Sequence, residues 1–220
     1  MLRTKNLKLY GLTAIAVVLV MCAGSALAQI GPDEYFVNYY SFAHTAGAPD
    51  GKVRIDNPGL AVSAADPDGT LCADVYVFDT QEEMTECCGC RVTADGLRTF
   101  SINTNLTGNP SVRGRTLHDG VIKLVSAAQN PNPAYGNVCD ATGGGTRLTF
   151  PNNIVPTPDL RAWGQHVQHT NSESTIYPTT EDAFQEATLT TTELDGLQET
   201  CTALWVFGSG TGRCTCGTGD

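Results

Sequence analysis

The sequence contains no H-E-x-x-H, no G-x-S-x-G and no glycine loop of the kind that cradles phosphate. Those absences remove the zincin, serine-hydrolase and nucleotide-binding chemistries that spacing alone can announce. The nearest approach, "GSGTG" (208–212), sets Ser209 directly after a glycine and falls in an expected tail loop. Charge is also scarce, at 16 % of the 220 residues, and positive charge is the scarcer: 13 Lys and Arg against 23 Asp and Glu, a formal net charge of −10. So few cations leave little to meet phosphate, which excludes nucleic acid and anionic lipid as partners. Outside one N-terminal run, no apolar stretch reaches the roughly 20 residues that a membrane-spanning helix needs.

That N-terminal run belongs to a recognisable pattern. Arg3, Lys5 and Lys8 precede an apolar stretch from about Leu12 to Ala23, and "ALA" stands just before Gln29. Residues 1–28 therefore read as a secretory signal peptide cut after Ala28, which places the protein in the periplasm, on the outer cell surface or outside the cell. The alternatives are an uncleaved anchor, for which the run is short, and a lipoprotein signal at Cys22, where Met21 occupies a position that wants a small side chain. Removal of 1–28 takes away Cys22 and three positive charges, so the formal net charge moves from −10 to −13. Eight cysteines remain: Cys72, Cys87, Cys88, Cys90, Cys139, Cys201, Cys214 and Cys216. The remaining 192 residues suffice for one domain with its own core.

Gly, Thr, Asn and Pro are plentiful, and the chain reads as short strands separated by turns. Residues 29–50 form an aromatic extended segment, with Tyr35, Val37 and Tyr39 on one side of a strand and Phe36, Tyr40 and Phe42 on the other. Residues 51–220 form a single domain whose strand-like stretches are "KVRIDN" (52–57), 71–79, 96–103 and 120–127, with 146–150 a further candidate. "PDLRAWGQHVQHT" (158–170) fits helix or strand and is taken as strand. The expectation is a mainly β protein, an antiparallel β-sandwich of immunoglobulin-like architecture. One C-terminal helix is expected at about 191–206, with Thr190 as N-cap and Glu193 completing a capping box. Leu194, Leu197, Cys201, Leu204 and Trp205 form its apolar stripe, and a cysteine-containing tail follows at 207–220.

Function, at this level, turns on "ECCGC" (86–90). Structural disulfides are the first reading, because an even cysteine count in an oxidising compartment forms a framework. A link from Cys201 to Cys214 or Cys216 would pin the tail, and a link from Cys72 to the ECCGC segment is equally open among 105 pairings. Cys87 and Cys88 should not bond each other, their Cα atoms being ~3.8 Å apart, below the usual disulfide range. The second reading is a soft-metal site for copper or zinc, built from Cys87, Cys88, Cys90, Cys214 and Cys216. The third is redox catalysis, since Cys87 and Cys90 have C-x-x-C spacing, though without a βαβ context.

The other candidates are weaker. His166 and His169 would share a face only on a helix, and on a strand they read as surface histidines. Glu82, Glu83 and Glu86 read as a solvated acidic strand, and Asp66, Asp68 and Gly69 as an acidic turn without the ligand spacing of a calcium loop.

The stretches "VRIDNPG" (53–59), "LCADVYVFDTQEEMTECCGC" (71–90), "VTADGLRTFSIN" (92–103), "GVIKLVSA" (120–127) and the final "TELDGLQETC … GSGTGRCTCG" carry a resemblance. They are similar to those of an uncharacterised family of exported, cysteine-containing β-proteins from soil bacteria, chiefly acidobacterial. The likeness covers most of the chain beyond the leader. It implies a structural or binding role in the envelope or outside the cell and brings no cofactor or catalytic residue with it. The reading is thus a non-enzymatic, disulfide-stabilised recognition or structural module, with a soft-metal binding protein and a thiol–disulfide redox protein as alternatives. An envelope partner is open, and so is self-association by strand addition through the aromatic N-terminal segment.

Overall fold

The stretch Leu71–Asp79 is buried at eight of its nine positions, whereas Lys52–Asn57 alternates between buried and half-buried. The contrast follows from where each strand lies. A computed structural model describes residues 34–61, 68–112, 114–129, 139, 141, 154–169 and 176–219. The leader at 1–28, Asp66 of the acidic turn and the strand candidate at 146–150 lie outside the described residues.

In chain order the strands are β1 (Tyr35–Tyr40), β2 (Lys52–Asn57), β3 (Leu71–Asp79), β4 (Met84–Val92), β5 (Gly96–Ser101), β6 (Gly120–Ala128), β7 (Arg161–Val167), β8 (Thr179–Ala183), β9 (Gln185–Glu186) and β10 (Thr218–Gly219). Helix α1 (Thr191–Phe207) precedes the last strand. Two five-stranded antiparallel sheets result, in the orders β4-β3-β6-β1-β9 and β10-β5-β2-β7-β8. The expected sandwich is the fold found.

The inner faces of both sheets meet in one core that includes Phe36, Tyr40, Val75, Val77, Ile122 and Leu124 from the first sheet and Val53, Ile55, Phe100 and Ala162 from the second. The outer face of the first sheet is covered as well. There Tyr35, Cys72, Tyr76, Cys87, Val125 and Ala127 pack against Leu197 and Cys201 of α1, with Ala141 and Ile154 beside them. A strand buried on both faces has no solvated side, so β3 is apolar except at Asp74, Tyr76 and Asp79, which are buried too. In β2, by contrast, Val53 and Ile55 face the core while Lys52, Arg54 and Asp56 face outward.

Several sequence expectations shift in detail. The aromatic segment is not an appendage to the domain. β1 pairs with β6 along its whole length and with β9 at Phe36 and Val37, so it lies inside the sheet and not at an edge open to strand addition. β5 ends at Ser101, where polar side chains divert the backbone into a one-turn π-helix, Ile102–Leu106: Asn105 Oδ1 accepts from Ser101 N and Ser101 Oγ accepts from Thr104 N. α1 starts where expected, with Thr190 Oγ1 accepting from Glu193 N. The capping box stays half made, however, because Glu193 Oε1 instead accepts from Tyr35 Oη at 2.9 Å and Lys123 Nζ at 2.6 Å. Those bonds, led by Lys123, hold the Glu193 carboxyl below its ordinary pKa and fasten the first turn of α1 to the sheet.

Residues 179–219 run around this frame like a belt. β8 is an edge of the second sheet, and β9, one residue on, is an edge of the first. α1 then crosses the outer face of the first sheet. Arg213 pairs with Cys87 of β4 at the opposite edge of that sheet, and β10 finishes on β5 at the opposite edge of the second. Both open sides of the sandwich are thereby closed by chain that passes from one sheet to the other.

Candidate functional site

On the β4 side the closure is covalent. Four disulfides join Cys72 to Cys139, Cys87 to Cys201, Cys88 to Cys214 and Cys90 to Cys216, with Cα separations from 5.2 to 5.8 Å. Strand geometry explains the use of "ECCGC". Neighbouring residues on a strand point to opposite faces. Cys87 therefore turns outward to Cys201 on α1, while Cys88 and Cys90 share the inner face and reach the tail. Both tail bonds span 126 residues, so Cys214-Thr215-Cys216 matches Cys88-Gly89-Cys90 rung for rung along parallel chains. Backbone bonds fix the same register: Cys87 N donates to Gly212 O at 3.1 Å and Cys214 N to Cys87 O at 3.3 Å. Trp205 Nε1 donates to Cys87 O, and the Arg213 guanidinium lies 4.4 Å from the Trp205 ring centroid, clasping the end of α1 to the tail.

This connectivity corrects two local expectations. Cys201 bonds β4 and not the tail cysteines, and Cys72 bonds Cys139 and not the ECCGC segment. It also bears on the other uses of sulfur. Of the cluster Cys87, Cys88, Cys90, Cys214 and Cys216, the two C-x-C pairs do converge, Cys88 meeting Cys214 and Cys90 meeting Cys216, while Cys87 faces the other side of β4. Each sulfur is nonetheless spent in a disulfide, and a metal is held by thiolate. Among the described residues no group of three or more His, Cys, Asp or Glu is placed to hold a metal ion. Cys87 and Cys90, the C-x-x-C pair, bond different partners on opposite faces of the strand.

Beside this ladder lies a buried acid. Glu86 reads as part of a solvated strand, yet it is fully buried, because alternation along β4 turns it to the same inner face as Cys88 and Cys90, opposite the inward-facing Val77. Burial pushes its pKa up to about 8, opposed by the backbone N–H of Asn109, which donates to Oε1 at 2.8 Å. Oε2 has no hydrogen-bond partner. Asn109 O in turn accepts from Gly212 N, so this carboxyl supports the loop that holds the tail.

The other side is closed without covalent bonds. Gln185 and Phe36 sit at the crossing, with Phe184 N donating to Ala162 O and Ala187 N to Tyr35 O. Here β1 and β7 approach so closely that a Cβ on Gly164 would stand 2.7 Å from Asn38 Nδ2. At this corner a pocket of about 450 Å³ opens between Asn38, Tyr39, His166, Asp182 and Gln185, over Val37, Val121 and Ala183. His166 is fully buried, contrary to its reading as a surface residue. The Tyr39 ring stacks flat on the imidazole, with centroids 3.8 Å apart and planes 13° apart, while 48 % of Tyr39 stays exposed. Burial lowers the His166 pKa, opposed by the carboxylate of Asp182 at 3.9 Å and by the backbone of Tyr39. The ring nitrogens and Asn38 Nδ2 are sealed from solvent and make no hydrogen bond of good geometry. His169 lies past the end of β7 in a separate aromatic group with Phe42 and Tyr177.

Sequence reasoning missed Asn38, Tyr39, Asp182 and Gln185 as site residues. One signal was available: Leu160, Ala162, Gly164 and His166 fall on one face of a strand, and a histidine in that series belongs inside. No family model matches this chain, and neither a curated protein nor a solved structure does.

Proposed function

We propose that this chain is an exported, disulfide-locked β-sandwich that acts without catalysis as a recognition module, in the cell envelope or outside the cell. The observation that carries the reading is that all eight cysteines beyond the leader are engaged in four disulfides, a state that lasts where thiols are oxidised. The leader-like residues 1–28 support the same location, and no helix among the described residues is long and apolar enough to cross a membrane. The corner pocket supports recognition over catalysis. Its lining offers no serine, threonine, cysteine or lysine as nucleophile, and its histidine makes no hydrogen bond to Asp182.

The test is expression of the full chain from its own leader in an exporting host. The expected product begins at Gln29, fractionates outside the cytoplasm and shows no reactive thiol when denatured. Retention in the cytoplasm with reduced cysteines would overturn the reading. Thiols that react only after chelation would replace it with soft-metal binding, and a pair equilibrating with glutathione would replace it with thiol–disulfide chemistry.

A further inference from the structure

We infer that the outer edge of β8 is a docking site for an extended, basic segment of a partner polypeptide, which adds to the second sheet as a further strand and sets a lysine or arginine beside Asp182. The inference rests on the recognition reading above and deepens it by naming the partner's chemistry.

The two sheets have four edges, and three of them leave a partner little to pair with. Along β4 the edge is already taken: Ser111 N donates to Thr85 O at 2.9 Å, and the Cys87 backbone bonds those of Gly212 and Cys214. β9 and β10 have two residues each. β8 differs, and all five of its residues are exposed. The bonds that flank it, Gln168 N to Pro178 O at 2.8 Å and Phe184 N to Ala162 O at 2.9 Å, fix its phase against β7. Alternation along an antiparallel ladder then turns the N–H and C=O groups of Thr180 and Asp182 toward β7 and those of Thr179, Glu181 and Ala183 outward. Among the described residues that outward row makes one hydrogen bond, Gln185 Nε2 donating to Ala183 O at 3.2 Å. An unpaired row of this kind is a template for an added strand.

Charge decides what can add. Between Arg161 and Arg213 the sequence holds no lysine or arginine, while Glu181, Asp182 and Glu186 stand on the two strands of the crossing. Arg54 pairs with Glu181 at 2.6 Å. Asp182, its side chain 68 % exposed, meets no lysine or arginine among the described residues, only the His166 ring at 3.9 Å. A partner residue opposite Asp182 projects to the same face, over the corner pocket of about 450 Å³ that Asp182 lines. A lysine or arginine there finds the carboxylate together with the exposed Tyr39 ring, which lines the same pocket and suits a cation.

Other occupants fit less well. A second copy, paired about the middle of β8, would set Glu181 against Glu181, and like charges directly opposite destabilise a sheet. An acidic segment would meet Asp182 on a molecule of net charge −10. An apolar segment would find one small apolar side chain, Ala183, along the whole strand.

The experiment titrates the full oxidised chain with capped octapeptides and reads two-dimensional NMR and amide exchange. The cationic probe alternates lysine with threonine, and the anionic one alternates glutamate with threonine. A third is the lysine peptide with every backbone amide methylated, which keeps its charge and leaves no N–H to donate. The lysine peptide is expected to bind, to shift the amides of Thr179, Glu181 and Ala183 and to slow their exchange about tenfold, while Gly96–Ser101 stay as they were. Asp182→Asn should weaken that binding by roughly fivefold or more with an unchanged melting temperature, and backbone methylation by roughly tenfold or more. No response at millimolar peptide, equal binding of the glutamate peptide, equal binding of the methylated one, or a dimer that protects the β8 amides before any peptide is added would each overturn the assignment. Each outcome is read on chain already exported and oxidised, so a failure here is separate from a failure of the recognition reading, which has its own test.

Discussion

The two sides of the sandwich are closed by the same manoeuvre with different chemistry. On the β4 side the chain crosses between sheets under two disulfide rungs, with a third bond anchoring the helix that leads there. On the β1–β7 side it crosses through β8 and β9, whose seven residues are all exposed and which are held by backbone hydrogen bonds and the burial of Phe184. Buried polar atoms without a partner occur on both sides: Glu86 Oε2 and the Gln198 amide on the covalent one, Asn38 Nδ2 and the His166 ring nitrogens on the other. The difference between the sides is thus one of how the chain is held, by sulfur on the first and by backbone hydrogen bonds and one buried phenylalanine on the second.

The largest effect should come from cutting the ladder. Replacing Cys88, Cys90, Cys214 and Cys216 by alanine should cost about 2–5 kcal/mol in guanidinium unfolding. Amide exchange should rise at 212–219 and stay unchanged at 179–186. Replacing only Cys90 and Cys216 should cost far less, because Cys88–Cys214 already closes the same 126-residue loop.

Next in size is the pH response of Glu86. Its pKa rises from 4.5 to about 8 on folding, so the folded state holds a proton that the unfolded chain has lost. Stability from this group is complete below pH 4.5 and falls as pH rises toward 8, by up to roughly 1.4 kcal/mol per unit. Glu86→Gln should flatten that slope, and a parent protein with no alkaline loss of stability would contradict the assignment.

On the weaker side, Gly164→Ala drives a methyl against Asn38 and should cost about 1–3 kcal/mol. Faster exchange should follow at Phe184, whose N–H bonds Ala162, and not at Cys214. The smallest effect is expected from His166. Its pKa lies below the ordinary 6.5, so the unfolded chain takes up a proton first as pH falls. Opening of the β8–β9 crossing should quicken below about pH 6.5, the reverse of the Glu86 trend, and His166→Gln should abolish the change.

What was legible in the sequence follows from the range of the forces concerned. β3, β6 and α1 announce themselves because apolar period and capping are local, and Leu71–Asp79 emerges with its limits intact. The β8–β9 crossing does not, because "TTEDAFQE" buries only Phe184 and its pairing is set by partners far along the chain. Glu86 looks like any surface acid until the 109–111 loop and the tail cover it. The cysteine pairing was half readable. Alternation on a strand separates Cys87 from Cys88 and Cys90, and equal C-x-C spacing matches the tail to β4, but nothing local says that Cys201 answers Cys87.

The long span of the bonds at β4 sets an order on biogenesis. A ribosome makes Cys87 with 114 residues still to add before its mate exists, and Cys88 and Cys90 wait for 126. Three thiols within four positions thus spend most of translation next to one another and to Cys72, exposed to the wrong oxidation. Correct maturation then calls for late oxidation or for an isomerase to reshuffle early errors, and the yield of native protein should track that helper's supply more closely than it tracks thermodynamic stability.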